Sequence, residues 1–270
     1  MDSLPLLAQG READVFARPD GTVLKLWRDG AHAWRADREA AALATLHGQG
    51  HRAPRVIGPA TVEGRPGLIL ERVDGTDLLQ ALGRRPLSVL AAGRVMAEVH
   101  ATMHDCAAPD SLPGLHDELR PRLQEAGALF DDLRSASLQL LDGLPTGDRL
   151  CHGDFHLANV LGSYAAPTVI DWADATCGDP VADVANTVVL HRVGRPPPGS
   201  SRVIRSLATV GRRILRDRYL AIYRTRRPVD ADLLARWAIV RAAARMWAPV
   251  PDEHPALLRF LRSRLRTMPA

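Results

Sequence analysis

Lysine is almost missing from this 270-residue chain: 34 of its 35 basic residues are arginine, and Lys25 is the one exception. Where a positive charge of any shape serves, the sequence writes arginine, so Lys25 marks a place that asks for a compact ammonium rather than a planar guanidinium. Aromatic residues are also scarce, at 4%, and do not interleave with the basic ones as a nucleic-acid stacking surface would require. The three cysteines, Cys106, Cys151 and Cys177, are odd in number, far apart and form no CxxC, which fits a reducing compartment better than a disulfide framework. No apolar run approaches the roughly 18 residues of a membrane span. Residues 4 to 8 are apolar but carry Pro5 and follow no basic cluster, so they do not read as a signal peptide. A cytoplasmic address, with no membrane partner, is the expectation. A net charge of only +4 is too weak a bias to imply a polyanionic partner by itself.

What is present is a foldable core and an uneven charge. Hydrophobic residues make up 46% of the chain, enough for one large domain or two lobes. Residues 192 to 270 hold 18 arginines against five acids, whereas residues 1 to 191 hold 17 basic residues against 26 acids. Before residue 74 the pattern is of short strands, at Leu6 to Ala8, Asp14 to Ala17, Thr22 to Trp27, Thr61 to Val62 and Leu68 to Val73. Hairpin turns are expected at Pro19-Asp20-Gly21 and Glu63-Gly64-Arg65-Pro66-Gly67. An Ala-rich helix over Ala31 to His47, with Ala40, Leu43 and Leu46 at helical spacing, interrupts the strands. After Asp74-Gly75 helical patterns dominate, at about 86–105, 116–142, 201–224, 230–248 and 255–267, around a strand-and-loop island at 149–187. The spacing places Val203, Leu207, Val210 and Ile214 on one face of the 201–216 segment, with Arg202, Arg205, Arg212, Arg213 and Arg216 on a solvated one. Arg195 to Ser201, with three successive prolines, reads as a semi-rigid connector. The layout is α+β and bilobal: residues 1–73 a small antiparallel sheet with one helix, residues 74–270 a larger, mainly helical lobe.

The residues that carry chemistry lie in His152-Gly153-Asp154-Phe155-His156-Leu157-Ala158-Asn159, followed by the strand Thr168-Val169-Ile170 and then Asp171-Trp172. A carboxylate at the head of a loop, an amide five residues on and a second carboxylate after a strand form the set that phosphoryl transfer needs. Asp154 would accept the attacking hydroxyl's proton, and Asn159 and Asp171 would hold Mg2+ against a triphosphate. The alternative of zinc at Cys151, His152 and His156 lacks a fourth ligand at a sensible spacing. A histidine just ahead of such an aspartate is better read as packing and ordering the loop.

With Gly178-Asp179-Pro180 and Asp183 following in order, the chain resembles the aminoglycoside phosphotransferase and choline kinase type of small-molecule kinase, from about residue 8 to residue 187. The resemblance implies a bilobal protein-kinase-like fold and transfer from ATP with Mg2+ to a small-molecule hydroxyl. It implies a phosphate-contacting lysine on a small-lobe strand, which here is Lys25, and a helix glutamate as its partner, for which Glu39 is preferred to Asp37. It further implies a phosphate-covering turn at Gln9 to Asp14, with Gly10 its one glycine, and adenine beside the strand ending at Glu71 to Val73. The turn departs from the glycine-rich loop of protein kinases. Gly153 stands where they carry an arginine, and no APE-like segment follows Asp171, so activation-loop regulation is not expected.

The acceptor is open between a metabolite, such as a sugar, amino alcohol or nucleoside, and an aminoglycoside-like antibiotic. A polycation would want an acidic wall, and residues 98 to 132 offer eight acids against two arginines as a candidate. Two readings from other classes stand beside these: a nucleotide-binding module without transfer activity, and an RNA-associated atypical kinase using its C-terminal arginines on phosphates. The intact Asp154, Asn159 and Asp171 count against the first, and the lack of interleaved aromatics against the second.

Overall fold

The computed structural model describes residues 4–30, 33–127, 130–194 and 201–267. Five strands open the chain: β1 (Leu6–Gln9), β2 (Ala13–Ala17), β3 (Thr22–Trp27), β4 (Val56–Val62) and β5 (Arg65–Glu71). They form one antiparallel sheet in the order β1-β2-β3-β5-β4. The single helix α1 (Ala33–Gly48) packs on it, burying Ala36, Ala42, Leu43 and Leu46. β3 lies in the middle of the sheet and is its best-buried strand. Its Lys25 is paired with Val15 on one side and Leu68 on the other, so the ammonium projects from a position that sheet register fixes. β4 starts five residues earlier than the Thr61 that sequence suggests. Gly58 and Pro59 read as breakers, but β4 is the edge strand, where proline is tolerated. β5 ends at Glu71, two residues short of Val73, and begins at Arg65, inside the expected turn. The turn itself shrinks to Glu63-Gly64, both with positive φ (51° and 76°), as a tight two-residue hairpin requires.

The remainder is mostly helical: α2 (Leu78–Arg84), α3 (Val89–Met103), α4 (Leu115–Glu125), α5 (Asp131–Asp142), α6 (Pro180–Val193), α7 (Arg202–Arg226), α8 (Ala231–Arg245) and α9 (His254–Leu265). The 116–142 pattern is thus two helices. α2, capped by the Asp77 carboxylate on the Gln80 amide at 2.8 Å, was too short to stand out as periodicity. Between α5 and α6 run β6 (Arg149–Cys151), β7 (Val160–Ser163), β8 (Ala166–Val169) and β9 (Thr176–Gly178), pairing as two small antiparallel ribbons, β6 with β9 and β7 with β8. α6 takes up the last part of the 149–187 island. Asp179 caps it through the Val181 amide (2.9 Å), with Pro180 at its first position.

α7 inverts the sequence reading. Leu207, Val210 and Ile214 are 66%, 55% and 39% exposed, while Leu215, Tyr219 and Tyr223 are buried against α3. Both stripes fit a helical period, and the tyrosines were the ones with buried partners to meet. Val203, Arg202 and Arg205 have no described side chains, and the proline connector at 195–200 lies outside the described residues.

Candidate active site

The loop from His152 to Asn159 leads from β6 to β7 and is held from below by α6. Asp183 receives the His152 amide (2.6 Å) and the Gly153 amide (3.0 Å). Asn186 donates to the Gly153 carbonyl (2.6 Å) and Thr187 to the Phe155 carbonyl (3.0 Å). Asp183 is fully buried and also meets Nε2 of His100 (3.1 Å) and of His104 (3.4 Å), whose Nδ1 atoms meet Tyr219 (2.6 Å) and Tyr223 (2.7 Å). Burial works against the Asp183 charge, but its bonds to the two histidines hold its carboxyl well below the usual range. Burial pushes His100 down to about 3, so its ring is neutral at pH 7. Each histidine spends one nitrogen on a tyrosine and the other on Asp183, leaving this trio no donor for a metal.

Gly153 has φ 83°, and a Cβ there would stand 2.2 Å from the Asp174 carbonyl oxygen, so the loop can pass this point only with glycine. His152 is buried; Nε2 meets the Ile170 carbonyl (3.0 Å), Nδ1 accepts the Asp154 amide (3.2 Å), and the ring packs on Trp172. It orders the loop. Among the described residues, Cys151, His152 and His156 do not gather as a metal site. Asp154 remains half-buried, its carboxylate 3.4 Å from Nε2 of His156.

Asn159 and Asp171 flank the β7–β8 ribbon, whose Val160–Val169 pairing and Ile170-to-Asn159 backbone bond (3.0 Å) bring the two ends side by side. The Asn159 amide nitrogen donates to the Asp154 carbonyl (3.0 Å), which leaves its side-chain oxygen as the remaining donor. Asp171 holds φ 66°, a left-handed backbone that costs a non-glycine residue energy and is found where surrounding structure enforces it. Its side chain is 49% exposed, and its Oδ1 accepts Lys25 Nζ at 2.7 Å. The same ammonium donates to Glu39 of α1 at 2.6 Å. Glu39 is 1% exposed, while Asp37 points outward. Burial disfavours the Lys25 charge, but Asp171 and Glu39 outweigh it and raise its pKa; Lys25 in turn holds Asp171 down.

Lys25, Glu39, Asp154, Asn159 and Asp171 thus converge where the sheet meets the helical part. The other expected residues stand apart. Gly10 closes the β1–β2 turn, its amide on the Ala13 carbonyl (2.9 Å), and it is the neighbouring Arg11 and Glu12 that line the cleft. Glu71 sits at the end of β5 with its amide on the Arg55 carbonyl (2.8 Å) and its carboxylate on Arg55 (3.2 Å). Of its groups, the main-chain carbonyl is what a base could still use. Val73 follows the strand, half-buried.

Sequence reasoning missed the cleft wall. Arg35, Arg122, Arg241, Arg245 and Asp174 line it beside Asp154. Arg241 is 5% exposed and donates to the Gly153 carbonyl at 2.9 Å, bracing the loop from α8. Arg35 (3.3 Å) and Arg122 (3.2 Å) both reach Asp174. Asp174 stands three residues after Asp171, and that proximity was its only signal; nothing in α8 marks Arg241. None of the eight acids at 98–132 lines the cleft. Glu118 pairs with Arg38 (2.7 Å) and Arg122 (3.0 Å), Asp105 with Arg227 (2.6 Å), and Glu125 accepts Trp247 (3.1 Å).

The profile of the phosphotransferase enzyme family, APH, matches residues 3–211. The chain belongs to this family. Its members are small-molecule kinases that phosphorylate hydroxyl groups. Solved structures of similar fold include a GDP and kanamycin complex of the aminoglycoside phosphotransferase APH(2")-IIIa, 18% identical, TM-score 0.62, over 98% of this chain and 94% of that one. An amicoumacin kinase with AMP-PNP, Ca2+ and its antibiotic is 15% identical, TM-score 0.64, over 99% and 89%. A putative fructosamine-3-kinase from Haemophilus somnus is 16% identical, TM-score 0.63, over 97% and 90%. No curated protein matches the sequence. At these identities the neighbours show that the phosphotransferase has the bilobal kinase fold. No described helix is long and apolar enough to cross a membrane.

Proposed function

We propose that this phosphotransferase uses ATP with Mg2+ and transfers the terminal phosphoryl group to a hydroxyl of a small metabolite. The observation that carries the reading is the Lys25 ammonium held 2.6 Å from Glu39 and 2.7 Å from Asp171 at the mouth of the loop that bears Asp154. The half-exposed Asp171 carboxylate and the side-chain oxygen of Asn159 are hard donors, adjacent in space, of the kind Mg2+ takes. When bound, the cation neutralises charge on the phosphates during transfer. Lys25, steadied by Glu39, meets the phosphate oxygens, and Asp154 orients the acceptor hydroxyl and receives its proton. Residues 1–73, including Gly10 in the covering turn and the Glu71 to Val73 backbone beside the base, serve as the nucleotide-binding lobe. Residues 74–270 serve as the catalytic and acceptor-binding lobe.

The cleft wall supports a metabolite acceptor over a polycationic antibiotic. Five arginines and three acids line it, where a polycation would be repelled. The test is ADP release across a panel of hydroxylated metabolites and aminoglycosides. An acceptor from the metabolite set should be turned over, and Asp154→Ala should lower that rate by about 10²- to 10⁴-fold with nucleotide affinity nearly unchanged. Transfer that survives this substitution removes Asp154 from the role.

A further inference from the structure

A second cavity, of about 580 Å3, lies between the end of α6, the first half of α7 and α9, and shares no lining residue with the cleft above. Its rim is built from Arg192, Arg212, Arg213, Arg216, Arg259 and Arg264. Among the described residues only Arg216 has an acidic partner, Asp217 at 2.7 Å. The guanidiniums of Arg192 and Arg264 rest 5.3 and 5.7 Å from the ring centre of Phe260, which holds two cations near each other. Burial, and then repulsion from Arg216, Arg264 and Arg213, lowers the Arg192 pKa. Among the described residues the other five arginines have no acidic partner, so the rim concentrates positive charge.

The lining also includes His191, 8% exposed, and among the described residues neither of its ring nitrogens has a hydrogen-bond partner. Burial first, and then His156, Arg216 and Arg212, push it down to about 4, so at pH 7 the ring offers one donor and one acceptor. A buried imidazole with neither nitrogen satisfied is costly unless something else supplies the bonds.

We propose that this cavity binds a small phosphate-bearing anion, with its phosphate oxygens on the arginine rim and a neutral polar group of the same molecule on His191. Guanidinium forks match phosphate oxygens two at a time, and arginine is the residue placed at every one of these rim positions. The volume suits a small molecule rather than a macromolecular surface. An RNA strand is disfavoured because Phe260, the one aromatic of the lining besides the His191 ring, is already engaged by two guanidiniums.

The probe is inorganic tripolyphosphate, titrated calorimetrically into the protein after the nucleotide cleft has been filled with AMP-PNP and Mg2+. Failure of AMP-PNP to bind counts against the nucleotide reading alone, because Arg213 and Arg259 line the second cavity and not the cleft, so their substitution tests the second cavity by itself. Saturable binding that weakens by about tenfold or more in Arg213→Ala/Arg259→Ala is expected. The imidazole resonance of His191, assigned by its loss in His191→Phe, should shift on saturation while that of the exposed His47 in the last turn of α1 does not. No saturable heat, equal affinity in the double variant, or an unmoved His191 signal overturns the proposal. The double variant also separates two sources of the phosphate. A raised KM for a phosphorylated acceptor with the ATP KM unchanged makes the occupant a substrate. A kcat that responds to tripolyphosphate in the parent but not in the variant makes it an effector.

Discussion

At the scale of single residues, the chain's one lysine stands where three requirements meet: a central strand, a buried glutamate and a half-exposed aspartate. A guanidinium in its place would be planar and longer than the site between Glu39 and Asp171, whose oxygens lie 2.6 and 2.7 Å from one nitrogen. Lys25→Arg should therefore fold yet lose at least about tenfold in kcat/KM for nucleotide-dependent transfer, measured by ADP release, and an arginine variant as active as the parent would refute the need for a compact charge. Asp154, Asn159 and Asp171 were legible from residue type and spacing along a short piece of chain, and Lys25 from the family resemblance together with its being the chain's single lysine. Glu39 was legible because the apolar stripe of α1 sets its angle. Arg241 was not, since the contact that makes it matter, to the Gly153 carbonyl, spans 88 positions and leaves no local pattern.

At the scale of elements, α7 teaches where periodicity stops. A helix with apolar residues on two stripes has two self-consistent ways to face a core, and the neighbours choose. Here His100 of α3 and His104 just after it are partners for the Tyr219 and Tyr223 hydroxyls, so the tyrosine stripe goes in and Leu207, Val210 and Ile214 go out. Urea unfolding should report this directly. Leu215→Ala, at 2% exposed, should cost about 2–5 kcal/mol, and Leu207→Ala, at 66% exposed, should stay within about 0.5 kcal/mol. The reverse ranking would mean that the sequence-based face is the buried one. The same inward turn brings Arg212 and Arg216 to the second cavity instead of to solvent.

At the scale of the whole molecule, α3 and α6, from distant parts of the chain, each carry a buried histidine that is neutral at pH 7. His100 and His191 have folded pKa values of about 3 and 4, below the ordinary 6.5. A depressed pKa means that the unfolded chain binds the protons first, so the stability these groups contribute is present above about pH 6.5 and is lost as pH falls through the folded values. The Asp183 carboxyl, also held low, adds in the same direction further into acid. The urea midpoint should thus fall steadily from about pH 6.5 to pH 4, and His191→Phe should flatten that slope; an unchanged slope would show that His191 is not the buried neutral group described.

Residue types, turn chemistry and apolar spacing along the sequence by themselves determined the lobed α+β layout, the antiparallel small sheet and the grouping of Asp154, Asn159 and Asp171 on one short stretch of chain. These are local signals, each complete within a dozen or two residues. Tertiary structure alone decided which stripe of α7 is buried, that none of the acids at 98–132 lines the cleft, and that a rim of arginines closes around His191. Each of those outcomes depends on which distant surfaces meet, and burial energy is a property of the pair of surfaces, which no single segment encodes.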